Sequence, residues 1–443
     1  MHRRELCRRL GAGGLLATVG CLGDRRGQSV DTAGSVDESA SEVPEDDWPT
    51  FGLDNQHTGV KEDGVGPRTD TVAWTAIGDA PTVLCSPTVY DGTVYVGSAS
   101  NAVHAFDAAT GEELWSHPTT SYVETAPAVV DGTVYTADAD GVVYALGTDG
   151  DRLWTYETET NLHSRAVAVH DGTVVVGTAG TMPAVVSGDT DESKAGTALG
   201  LDTATGEREW AYVGPTDWFT GPAVGGGRVY LGNHDGSVVA LDSATGDELW
   251  TRDADGEHAG VLAPPTYAEG TLFVGVHAAG RLVALDAASG TRRWATDLKA
   301  PNVKSSPAVD GDRVYLGATG SEATDYDGPD ESTPSPTPKR TPDDEEGAGM
   351  PSVEISGSVF AISRTDGTID WRHETDHDFR SSPAVVDDRV YIGGGDRLLT
   401  LSRADGEPQW DVPFNDFVES SPAVADGRAY IGSADGHLYC IGE

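Results

Sequence analysis

Three cations in an acidic chain, Arg165, Lys304 and Arg380, are the residues with most to offer chemically. Each stands just ahead of a short apolar run that recurs along the sequence, so if those runs converge the three would meet. Together they would receive an anionic group, with Trp218 as a stacking surface, and they are the candidate ligand-binding residues. The competing reading, which is preferred, pairs Arg380 with Glu419 and leaves no site. Four aspartates, Asp107, Asp202, Asp242 and Asp286, lie four residues before a glycine. Carboxylates suit calcium, but at a tight turn this spacing predicts side chains that cap their own backbone, so no metal ligand is assigned. The cysteines Cys7, Cys21, Cys85 and Cys440 are dispersed, with no two adjacent. A disulfide between Cys85 and Cys440 stays open, because the sequence does not give their separation. No catalytic residue is assigned.

The elements that must position these residues are repeats. The stretch Gly221 to Trp250 reads as four short strands: a Pro-anchored apolar run, a Gly-Gly turn, two Val/Leu-rich runs, and a strand carrying the tryptophan. Glycine stands four residues before tryptophan at Trp115, Trp154, Trp210, Trp250, Trp294, Trp371 and Trp410, whereas Trp74 has Asp70 in that place. Eight Pro-anchored units start near Leu84, Glu124, Ser164, Phe219, Leu262, Lys304, Arg380 and Glu419, and the last stops before a tryptophan strand. The strand around Trp74 therefore supplies the missing one. The expected fold is all-β, an eight-bladed propeller over 48–443, its ring closed by an N-terminal strand. The unit starts, with His163 and Trp218 beside them, should ring the mouth of a central channel. Insertions at about 178–196 and 319–356 fall between second and third strands and so open on one face. The second is rich in Pro and charge and is expected to be disordered.

Composition narrows the setting. The chain has 72 acidic and 29 basic residues and a formal charge of -43, which excludes a nucleic-acid footprint. Such self-repulsion is harmless where the Debye length falls to roughly 3 Å, in molar salt, so a halophile protein is expected. Residues 1–21 carry Arg3-Arg4 and Arg8-Arg9 before an apolar run too short to span a bilayer. They resemble a twin-arginine export signal, and Thr18 to Cys21 is similar to a lipobox, which implies lipidation at Cys21. The polar residues 22–47 would be the tether. The expectation is a haloarchaeal-type lipoprotein held at the outer face of the cell membrane.

The pattern SSPAV, VYVGS and VHAFDAATGEELW resembles the quinoprotein (PQQ)-like β-propeller repeat, whose third part has the form VYALDAATGELLW, and the lead-in WPTFGLDNQHTG from Trp48 to Gly59 is similar to the start of its non-catalytic members. Those members resemble the bacterial outer-membrane assembly factor B. The resemblance implies that the eight tryptophans, Trp74 included, dock one blade on the next. It also implies a function as a monomeric scaffold for an envelope protein or polymer, with no cofactor. The alternative it implies is an alcohol or sugar dehydrogenase using PQQ with calcium in the central channel. Enzymes of that kind carry an adjacent Cys-Cys pair and in some cases a CxxCH haem motif, and this chain has neither.

Overall fold

In a computed structural model, which describes residues 43–443 apart from 45, 163, 180–195, 215–219 and 322–354, the chain forms eight sheets of four antiparallel strands each, one of which gains the short parallel strand Val60–Lys61 as a fifth. No helix occurs among the described residues. The sheets are the blades of a β-propeller. Blade 4 is representative, with strands Ala223–Gly225, Arg228–Gly232, Ser237–Asp242 and Glu248–Asp253 in meander order. Its two middle strands are buried almost throughout, because each blade is covered on both faces by its neighbours. The outer strand buries chiefly Trp250.

A bulge explains how the tryptophan turns inward. In blade 4, Trp250 pairs with Ala240 but Glu248 pairs with Leu241, so Leu249 is the extra residue and points to solvent. The same slip exposes Leu114 and Leu153. A bulge of this kind kinks an outer strand and re-aims the side chain that follows it. The inner hairpins are tight: Asp91 and Gly92 have φ of 47° and 70°, the left-handed pair that a two-residue hairpin turn requires.

The ring closes as the repeat count requires. Val72–Ile77 pairs with His437–Gly442 and completes blade 8, with Trp74 opposite Cys440. Blades 1 to 8 begin at Thr88, Ala128, Ala168, Ala223, Thr266, Ala308, Ala384 and Ala423. Residues 1–21 with Cys21, most of the 22–47 tether, Trp218, Phe219, His163 and most of both insertions lie outside the described residues. The edges of the second insertion correct the expected boundary. Arg313–Ser321 and Ile355–Ser363 pair along nine residues, so strand structure reaches Ser321 and resumes at Ile355.

The cysteine clasp is not made. Cys85 and Cys440 are both free and buried. Cys85 Sγ accepts the Gly97 N–H at 3.2 Å, the part that a serine hydroxyl plays at Ser305, Ser381 and Ser420. Burial pushes both thiols up to about 12, so neither offers a thiolate near neutrality.

Candidate functional site

The lead-in does something its sequence did not announce: it threads the channel and bonds to one innermost strand after another. Trp48 exchanges two backbone hydrogen bonds with Val89 of blade 1, and the Pro49 carbonyl accepts from Val129 of blade 2. Asn55 grips Val169 of blade 3 through both side-chain atoms, while its own carbonyl accepts from Val224 of blade 4. The carbonyls of Gln56, Thr58 and Gly59 then accept from Tyr267, Val309 and Val385 of blades 5, 6 and 7. Val60–Lys61 finally runs parallel to Ala384–Val386. An innermost strand otherwise presents an open edge of unpaired N–H groups, and this strap satisfies one in each of seven blades.

Trp48, Phe51, Leu53 and His57 are buried beneath the strap. The cavity left between Trp48, Phe51 and the Ser-Pro steps of blades 1, 7 and 8 is about 10 Å³, room for at most one water. Burial lowers His57 to about 4, against the opposing contact of Nδ1 with the Pro265 carbonyl. Loss of solvation raises the pKa of the half-buried Asp54, although it accepts from the Gln56 and Thr58 N–H groups and the Thr58 hydroxyl.

At the other end the channel is open to solvent but crossed by charge. Arg165 extends from blade 3 to blade 7, where it donates to the Arg380 carbonyl at 3.1 Å, and it lies 4.0 Å from Glu419 of blade 8. Arg380 donates to Glu419 and, at 3.2 Å, to Asp378. The pairing of Arg380 with Glu419 is thus present, and Arg165 joins it. Glu124 stands on blade 2, and its pKa is raised, first by loss of solvation, with Arg165 opposing and Glu419 adding to the rise.

Blade 3 places Arg165 there by carrying one more residue than its neighbours. In blades 1, 2, 5, 7 and 8 a backbone bond fixes the residue five before the anchoring proline: Thr82, Tyr122, Gly260, Asp378 and Phe417. In blade 3 the matching bond comes from Asn161, six before Val167. The extra residue corrects the expected ring of unit starts. Ser164 does not line the mouth; it is buried and donates to the Ala166 carbonyl at 2.7 Å.

Lys304 of blade 6 is half-buried beside this group, and among the described residues no carboxylate lies within ion-pair distance of it. Its pKa is lowered, by burial and then by Arg380, with Glu419 opposing. His277 of blade 5 adjoins it. Burial, then Lys304, lowers His277 to about 4, and its Nδ1 is buried without a partner.

The tryptophans stand between blades. A Cβ on Gly111 would lie 2.6 Å from the Trp74 ring, and Gly150, Gly206, Gly246, Gly290, Gly367 and Gly406 sit equally close to Trp115, Trp154, Trp210, Trp250, Trp294 and Trp371 of the preceding blade. Trp410 differs, since blade 8 takes its outer strand from Val72–Ile77 and has no such turn to meet it. The turn aspartates act locally: Asp107 accepts from Ala109 N–H, Thr110 N–H and the Thr110 hydroxyl.

Eight four-stranded blades closed by an N-terminal strand, with a tryptophan seated on the next blade's turn, define a PQQ-like β-propeller. The chain belongs to the family of such propellers described as outer membrane protein assembly factor BamB, whose model matches residues 63–216, 234–332 and 356–441. Among solved structures it is similar to quinohemoprotein alcohol dehydrogenase from Comamonas testosteroni (TM-score 0.70, 18% identity, 91% of this chain and 82% of that one). It is also similar to BamB from Moraxella catarrhalis (TM-score 0.60, 19% identity, 84% and 97%). Among curated proteins it matches the serine/threonine-protein kinase AfsK of Streptomyces griseus, 26% identical over 45% of this chain and 19% of that protein. The Comamonas dehydrogenase is 33% identical over 18% of this chain and 13% of that protein. The chain thus spans less than a fifth of each curated relative.

The calcium that dehydrogenases of this repeat family use with their quinone does not fit these residues. Among the described residues no three His, Cys, Asp or Glu side chains gather as a metal site. Of the carboxylates at the mouth, Glu419 and Asp378 are engaged by arginines, which leaves Glu124, and calcium needs six to eight oxygen ligands.

Proposed function

We propose that this chain is a non-catalytic propeller that offers its open face to an envelope protein or polymer, held at the outer surface of the cell membrane by a lipid on Cys21 after twin-arginine export. The observation that carries this reading is the occupation of the channel by the chain itself, with the strap from Trp48 to Lys61 on one side and Arg165 on the other. A ligand pocket in a protein of this size usually measures hundreds of Å³, and here the axis is filled. Family membership supports the same reading, through the assembly role in the family's description. The acidic surface suits a high-salt exterior. A rigid ring of blades with two insertions on one face is suited to hold a partner rather than to turn over a substrate.

The test has two arms. The Cys21→Ser protein should leave the membrane fraction and appear in the medium, whereas a wild-type chain that is already soluble contradicts the anchor. Protein supplied with PQQ and calcium in molar salt should reduce no dye with alcohols or sugars. Sustained dye reduction would overturn the scaffold reading in favour of a quinone-dependent dehydrogenase.

A further inference from the structure

We propose that the open mouth of the channel is a carboxylate-binding site, with Lys304 as the receiving cation and Arg165 and Arg380 as supporting charges, and that its ligand is an acidic side chain or chain terminus of a partner polypeptide. The choice of a polypeptide rests on the scaffold reading; the site itself does not.

Cations reach the mouth from blades 3, 6 and 7, and its carboxylates, Glu124, Asp378 and Glu419, stand on blades 2, 7 and 8. Glu419 is committed to Arg380 and Arg165, and Asp378 to Arg380, which leaves Lys304 as the mouth cation with no carboxylate of its own among the described residues. A half-buried ammonium beside two guanidinium groups is costly to hold, and burial with Arg380 accordingly pulls its pKa down. An incoming carboxylate would remove that cost, and its hydrogen bond would be charge-assisted. His277 supplies a second, independent sign of a missing ligand, since its Nδ1 is buried without a partner on the neighbouring blade. The rim also carries an apolar surface, because Phe417, 41% exposed, stands two residues before Glu419. A polypeptide offers both an apolar side chain and a carboxylate.

Isothermal titration calorimetry of the full chain in molar KCl, with succinate and with a tetrapeptide of sequence Ala-Phe-Asp-Glu as probes, tests this. Wild type should bind the peptide, and Lys304→Gln should weaken it about tenfold or more, while Lys299→Gln, at an exposed lysine paired with Asp297, should match wild type. Arg165→Gln gives a second reading and should weaken binding in the same direction. Thermal unfolding of each variant confirms that it is folded. Absence of binding by both probes, or binding unchanged by Lys304→Gln and Arg165→Gln, would overturn the site. Succinate binding with no peptide binding would overturn the polypeptide ligand. Dye reduction with PQQ would overturn the scaffold reading and leave this site standing, so the two fail separately.

Discussion

Arg165 donates across the channel to the carbonyl of Arg380, 3.1 Å away on the blade diametrically opposite, and so ties blade 3 to blade 7 through the centre of the ring. In blades 6, 7 and 8 the inner strand starts with a serine whose hydroxyl accepts a backbone N–H of its own blade, as Ser305, Ser381 and Ser420 do. The cross-channel bond exists because blade 3 carries one extra residue before Val167.

Removing that bond should be measurable. Arg165→Ala leaves the Arg380 carbonyl without this donor and Glu419 with one guanidinium fewer. Because the side chain is partly exposed, the expected loss is about 1 kcal/mol in denaturant unfolding. Unchanged stability would mean that the bar contributes nothing to the ring.

The strap yields a sharper contrast between two adjacent residues. Asn55 satisfies both backbone groups of Val169 with its side chain, whereas Gln56 uses only its backbone carbonyl for Tyr267. Asn55→Ala should cost about 2 to 3 kcal/mol, and Gln56→Ala should stay within about 0.5 kcal/mol of wild type. Equal costs would contradict the threading described here.

Acid should loosen the strap through His57. Its folded pKa is about 4, lowered by burial from 6.5, so the unfolded chain binds more protons between those values. Stability should therefore fall as pH drops from 6.5 to 4, by up to roughly 3 kcal/mol, and change no further below 4 from this group. His277 has the same sign, while Asp54, raised by burial, works in the opposite direction at the acid end. His57→Asn should flatten part of the slope of melting temperature against pH. A slope unchanged by His57→Asn would place the acid sensitivity elsewhere.

Blade docking separates two glycines that look alike. Gly111 has φ of +73° and its Cβ would lie 2.6 Å from the Trp74 ring; Gly92 has φ of +70° with nothing within 4 Å. Gly92→Ala should cost about 1 kcal/mol from the backbone alone, and Gly111→Ala about 3 kcal/mol or more, since the large ring cannot retreat. Similar losses at both would argue against tryptophan seating at that seam.

The fold was largely legible because repetition multiplies weak signals: one glycine four residues before one tryptophan means little, and seven such pairs leave few alternatives. The deviation at Trp74 located the closing strand for the same reason. The strap was not legible, because its bonds to six of the seven blades run through its backbone carbonyls and N–H groups, with only Asn55 using its side chain, and the sequence WPTFGLDNQHTG carries no periodic pattern. The extra residue in blade 3 was hidden as well. Val167 replaces the anchoring proline, so the count from Pro-anchored neighbours placed Ser164 at the mouth, whereas backbone pairing buries it. Arg165, Lys304 and Arg380 were found because they depart from the repeat, but that Glu419 holds two of them and leaves the third required coordinates.

The claim that the chain closes its own channel is tested most directly by equilibrium dialysis of the folded protein against PQQ with and without calcium in molar salt, followed by gel filtration. The expected result is no quinone carried through the column, with any weak uptake independent of calcium and displaced by succinate. One quinone per chain, retained through the column only when calcium is present, would contradict it.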